Sequence, residues 1–286
     1  MEEQSTFWQW QKDILSMPPL GSRHGDDVDV FIIYVHWLML FLFVLWTAYF
    51  FYVLFRYNSR SNPKADPVGV RSHYSTYLEI GVAVVEAILL LAIAIPMWAK
   101  TVDDFPKDED STVMRLAAEQ FTWGSRYTGK NGLFAKQDIR LATPENLLGY
   151  EANDPNGDAS DDVTPPPKDV RVPLIALKDE NGEPLKHPDG KQAYKPVIIH
   201  LTSKDVIHSL KVNTLRICQD AMPGMTIPIH FEPTVTGRYL ITCAQLCGNG
   251  HASMNAWFSV VTEEEFDEWQ AEYAPAKPGA APISFE

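Results

Sequence analysis

The chain has 286 residues, 45% of them apolar, and a formal net charge of −13 at pH 7, enough for one sizeable domain plus additional segments. So acidic a balance excludes a polyanion-binding surface, and no nucleic acid is expected as a partner. The slightly polar average also conceals two long apolar blocks, which an ordinary soluble protein would not carry.

The first 29 residues hold six acids and two bases, with Phe7, Trp8 and Trp10 suited to lie at a membrane interface. They lack a short apolar run with a small-residue cleavage site, so no secretory leader is expected. Residues 30–55 then run 26 positions without a formal charge, and residues 80–99 give 20 more, interrupted by Glu86. About 20 helical residues span a bilayer core, so both blocks read as membrane helices. An ionisable group inside a membrane helix is costly unless it faces a partner, so Glu86 is expected against a neighbouring subunit. His36 reads as a polar residue near the interface. The connector 56–77 holds Arg56, Arg60, Lys64 and Arg71 against Asp66, whereas residues 100–286 hold 18 bases and 28 acids. Basic residues collect in cytoplasmic loops. The connector is therefore expected inside, with both termini and the large domain outside an energy-transducing membrane. The expected organisation is a tail at 1–29, a transmembrane hairpin at 30–99 and an outer domain at 100–286.

Residues 100–128 read as a lead into that domain. Residues 149–169 look like a linker, with the turn-rich Asn153-Asp154-Pro155-Asn156-Gly157 and the run Pro165-Pro166-Pro167. Turns are expected at Asp179–Gly182 and His187–Gly190. Strand-like runs lie at 170–177, 197–202, 225–231, 237–242 and 256–261, the pattern of an antiparallel sandwich or barrel. Thr262 and Glu265 form a capping box for a last helix through about residue 272.

Chemistry concentrates in one loop. Cys243, Cys247, His251 and Met254 fall within twelve residues after a strand, and His208 lies upstream. Thiolates, imidazoles and a thioether suit copper, and a second cysteine allows two sulfurs to bridge two ions. A Cys243–Cys247 disulfide would leave the histidine and methionine without a role. Tetrahedral zinc remains an alternative, although its cysteines favour a two-residue gap and it needs no methionine. Cys218 matches no ligand position and reads as a buried apolar filler.

The pattern Cys-x-x-x-Cys-x-x-x-His-x-x-Met resembles the dinuclear copper (CuA) loop of cytochrome c oxidase subunit II. Ser203 to Ser209 resembles that family's first ligand strand, and Asp220 to Gly224 its following turn. The likeness extends to His73, Leu78-Glu79-Ile80 and Pro96 in the hairpin and to Gln120-Phe121-Thr122-Trp123, leaving out the first 29 residues and an insertion at about 129–196. The resemblance implies a two-helix transmembrane hairpin plus an all-β Greek-key cupredoxin-like barrel. It implies that Cys243 and Cys247 bridge two copper ions, completed by His208, Met254, His251 and the main-chain carbonyl of Gln245. It further implies an electron-entry subunit, taking electrons from a cytochrome c, or a cytochrome c domain, and passing them to heme in a separate catalytic subunit that reduces oxygen and pumps protons. Glu79 stands where the family has a proton-channel entrance, although an acid at a helix start is also favoured by the dipole. Phe121 and Trp123 stand in its aromatic electron-entry cluster, with phenylalanine replacing the usual tryptophan at 121. Gln245 replaces a glutamate whose carboxylate reaches a magnesium or manganese ion, so that site is expected to be weak, with Asp220 as a partial substitute. The acidic outer domain would attract a basic donor. A metal-free quinol oxidase subunit, a nitric oxide reductase subunit and a copper chaperone are the competing readings; the first lacks these ligands, and the last uses exposed clusters.

Overall fold

The computed structural model describes residues 9–64, 67–69, 71–129, 132–143, 149–151 and 162–274. Phe7, Trp8, Asp66 and the Asn153–Gly157 turn lie outside them. The chain forms two compact units, one containing Asp26–Asp104 with residues before Pro18, the other Pro18–Gly25 with the chain from Phe105 onward.

In the first unit, α1 runs His24–Arg56. It begins six residues before the uncharged run because Asp26 and Asp27 sit in its first turn, where the helix dipole favours acids, and Arg56 closes its last. Lys12 pairs with Asp26 at 2.8 Å and Asp29 at 3.3 Å, so the buried Asp29 has a counter-charge. The second helix, Tyr74–Asp103, is continuous over 30 residues. It comprises α2 (Tyr74–Ile88), a π-helical stretch Leu89–Ala94 and α3 (Ile95–Asp103). The widening has a local cause. Pro96 has no N–H and its ring would crowd the carbonyl four residues earlier. The Ile95 N–H accordingly bonds the Leu90 carbonyl, five residues back. None of the second helix is buried, and Trp37, Phe41, Phe43, Phe50 and Phe55 project outward from α1. Helices apolar all round need lipid or a partner to cover them.

The second unit is a β-sandwich. Its strands are β1 (Thr112–Glu119), β2 (Thr122–Tyr127), β3 (Asp169–Pro173), β4 (Val197–Ser203), β5 (His208–Val212), β6 (Ile217–Ala221), β7 (Ile227–Phe231), β8 (Gly237–Cys243) and β9 (Asn255–Val261). They form sheets of order β2-β1-β4-β7 and β3-β9-β8-β5-β6. Inward residues alternate along each strand, as in Met114, Leu116 and Ala118 or Ala256, Phe258 and Val260, and meet in one core with Trp123, Tyr127 and Phe231. Each such large side chain contributes about 1.5–3 kcal/mol by burial. The last helix, α4 (Glu263–Tyr273), has both halves of the Thr262/Glu265 capping box and packs Phe266 and Trp269 on Tyr127.

Several expectations need correction. The lead-in 100–128 contains β1 and β2, whose outward faces are largely covered. Two pairings, β1 with β4 and β3 with β9, are parallel; the long insertion lies in the first crossover, and strands β4–β8 make the second. The run at 170–177 stops at Pro173, which cannot donate to a ladder. The linker-like stretch is partly packed: Tyr150 joins Ala117 and Ala135 in a second small core, and Asp162 is buried against Arg126. Part of the expected tail, residues 21–23, is docked on the β-domain. Gly21 and Arg23 donate to Thr214 and Glu232 carbonyls, and buried Ser22 donates to the Leu215 carbonyl at 2.7 Å.

Candidate metal centre

Two neighbouring strands bring the upstream histidine to the loop. His208 opens β5 and Cys243 ends β8, two positions off direct register, since Leu210 lies opposite Cys243. The loop folds back through a turn at His251–Ser253 and returns at Met254 before β9. Gly248 takes φ +136°, where a side chain would also meet Gln120.

Cys247 is central. Its Sγ lies 3.9 Å from Cys243 Sγ, 3.6 Å from His251 Nδ1 and 3.7 Å from Met254 Sδ. Cys243 Sγ is 4.0 Å from His208 Nδ1 and 3.1 Å from the Gln245 carbonyl oxygen. His208 and Met254 are fully buried, and Cys243 and Cys247 nearly so. The ligand atoms of His208, Cys243 and Cys247 all lie within 4.8 Å of one another. Burial, and then the adjacent Cys243 thiol, push the Cys247 thiol up to about 11. A cation between the sulfurs would reverse that penalty. The donor set therefore fits copper in chemistry, with soft sulfur, imidazole and thioether around one buried point.

The surroundings fix the donors. His208 Nε2 lies 2.9 Å from Asp205 Oδ1, leaving Nδ1 to face the sulfur. Burial would raise the Asp205 carboxyl, but hydrogen bonds from the Gln120 N–H, His208 and the Val206 N–H outweigh it and hold the pKa below the usual range. The Trp123 ring stands 6.3 Å from the His208 ring, edge to face, and the Phe121 ring packs against Gly248 and Gly250.

Six expected ligand residues thus meet, with Trp123 and Phe121 beside them. Glu79 is an exposed residue of α2 in the helical unit. The Gln245 side chain is exposed; Asp220 is half-buried on β6, opposite Ser209. Cys218 is exposed on β6 instead of filling the core, because alternation along that strand turns it outward. Asp205 and Gln120 carry no ligand chemistry and went unassigned. The only sequence signal for Asp205 was its place three residues before His208.

Residues 191–261, which include all six expected ligand residues, match the family model described as cytochrome C oxidase subunit II, periplasmic domain. The chain is 29% identical to the alternative cytochrome c oxidase subunit 2 of Bradyrhizobium diazoefficiens over 262 residues, covering 92% of this chain and 83% of the relative. It is 26% identical to cytochrome c oxidase subunit 2 of Cereibacter sphaeroides over 268 residues, covering 91% and 83%. Among solved structures, the periplasmic domain of subunit II of cytochrome oxidase (CoxB) of Bradyrhizobium japonicum is 22% identical, covers 59% of this chain and 95% of that one, and gives a TM-score of 0.37.

Proposed function

We propose that this chain, which belongs to the cytochrome c oxidase subunit II family, is the electron-entry subunit of a terminal oxidase and holds two copper ions. Cys243, Cys247, His208, Met254, His251 and the main-chain carbonyl of Gln245 would hold them. A sulfur-bridged copper pair supplies one-electron transfer with little change of geometry. The carrying observation is the convergence of two thiols, two imidazoles and a thioether on one buried point.

The protein residues give the transfer its direction and its frame. Asp205 holds the His208 ring so that one nitrogen is free for metal. The half-buried Phe121 and, beneath the surface, Trp123 serve electron entry from a cytochrome c donor, and the excess of acids over bases in residues 100–286 draws a basic donor to the domain. The electron passes on to heme in the catalytic subunit, where oxygen is reduced and protons are pumped. Glu79, near the cytoplasmic end of the second span, serves proton entry. The domain at 100–286 and both termini lie on the outer, periplasmic side, with 30–99 as the membrane hairpin. The neutral Gln245 side chain leaves the magnesium or manganese site weak.

Metal analysis and electron paramagnetic resonance of the full-length chain in detergent test the metal reading. Two coppers sharing one unpaired spin are expected; a single tight zinc with no copper would sink it. For topology, a cysteine placed at Ser61 should resist an impermeant reagent added from outside; rapid labelling reverses the orientation. Glu79→Gln should slow oxidase turnover with the copper spectrum unchanged, and unaltered turnover would reduce Glu79 to a helix-start acid.

A further inference from the structure

The turn between β1 and β2 reaches both segments that carry the expected ligands. Gln120 donates its side-chain amide to the Cys247 carbonyl at 2.6 Å and its backbone N–H to Asp205 Oδ2 at 2.8 Å. Asp205 in turn meets His208 Nε2 through its other oxygen. One residue therefore touches the backbone of a thiol ligand and, through one carboxylate, the ring of an imidazole ligand 39 positions before it. The neighbouring contacts reinforce the turn. Lys204 Nζ pairs with Glu119 at 2.8 Å, and the Lys204 N–H bonds the Ala118 carbonyl at 3.0 Å, so the bend before His208 is pinned to the same hairpin. The Phe121 ring fills the space that Gly250 leaves open, and a Cβ at Gly248 would come 2.9 Å from Gln120 Nε2.

We propose that Gln120 is a positioning residue, which sets the spacing between the Cys247 and His208 segments before any metal arrives. The role rests on the copper reading for its consequence but not for its geometry. Only a side chain with an N–H donor at this reach can hold a carbonyl. Glutamate would present an oxygen to the Cys247 carbonyl and a second charge to Asp205. Methionine has the same length and no donor. Gln120 is exposed overall, so replacing it leaves the hydrophobic core untouched.

The test is Gln120→Met in the full-length chain, purified in detergent. In metal-free protein, alkylation of Cys247 is measured by mass spectrometry against the exposed Cys218 as internal reference. The Cys247 to Cys218 rate ratio is expected to rise roughly tenfold, because the loop loses its tether. In copper-loaded protein, chelator extraction should accelerate by roughly tenfold or more, with a changed copper hyperfine pattern and an unchanged thermal unfolding midpoint. An unmoved alkylation ratio, or a ratio that moves only together with a lowered unfolding midpoint, overturns the assignment. If the unsubstituted chain takes up no copper pair, the metal reading fails, while the alkylation ratio still decides the role of Gln120.

Discussion

Two buried polar clusters in the β-domain invite comparison. Where the insertion packs on β2, the Arg126 guanidinium meets the Asp162 carboxylate, which also accepts the Ala135 N–H at 3.0 Å, with the Tyr150 ring beside it. That cluster contains its own cation and its own anion. Around Cys247 stand two thiols, two imidazoles and a thioether, all buried but the half-buried His251, and the nearest charge supplied by a described contact is the Asp205 carboxylate. The first cluster holds its carboxylate against a guanidinium, with a second guanidinium, Arg115, over the Phe134 and Tyr150 rings. The second has donors for a cation and brings none of its own. Buried charges that pair with an opposite charge hold structure, whereas a set of soft sulfur and imidazole donors suits a metal ion.

Breaking the donor set should have the largest effect. Cys247→Ser removes the sulfur at the centre of the cluster, and complete loss of the shared-spin copper signal is expected in electron paramagnetic resonance while the circular dichroism of the domain is retained. Breaking the ion-paired cluster should act on stability instead. Asp162→Ala leaves a buried guanidinium unpaired, and a loss of about 3–5 kcal/mol is expected in denaturant unfolding, with the copper signal intact below the transition. Replacing both partners, Arg126→Met with Asp162→Leu, should recover most of it; a double variant as unstable as the single one would show that the pair does more than balance charge. The smallest change sharpens the boundary of the donor set. Gln245→Glu adds a carboxylate where the main-chain carbonyl is already in place, so manganese affinity should rise about tenfold without a shift in the copper spectrum. A shifted spectrum would mean that the side chain, not only the carbonyl, shapes the copper centre.

The contrast also marks what a sequence discloses. Donor chemistry is local: Cys243, Cys247, His251 and Met254 share one loop, so thiols, imidazole and thioether are legible there together. The turns at Gly182 and Gly190 were equally readable, because each glycine takes φ +83° at a place where a hairpin reverses. Support is not local. Gln120 reaches Cys247 across 127 positions, and nothing in its neighbours announces that contact. β1 and β2 were missed for a related reason. Ala117 and Arg126 pack on Ala135, Tyr150 and Asp162 of the insertion, so the packing that completes these strands comes from residues distant in the sequence. Ser22 looked like part of a loose tail because its partner, the Leu215 carbonyl, is 193 positions away.

The widened stretch Leu89–Ala94 changes how the second helix should be indexed. Each residue of an ordinary helix advances the angular position by about 100°, and a five-residue hydrogen-bond step admits one extra residue at the bulge. Side chains before Leu89 and after Ala94 are therefore out of phase by roughly that angle. Glu79 and Glu86 are seven apart and fall on nearly one line, but Trp98 cannot be projected onto that line by counting. A disulfide cross-linking scan along this helix against a neighbouring subunit should show one periodicity through residue 88 and the same periodicity, shifted by one position, from residue 95.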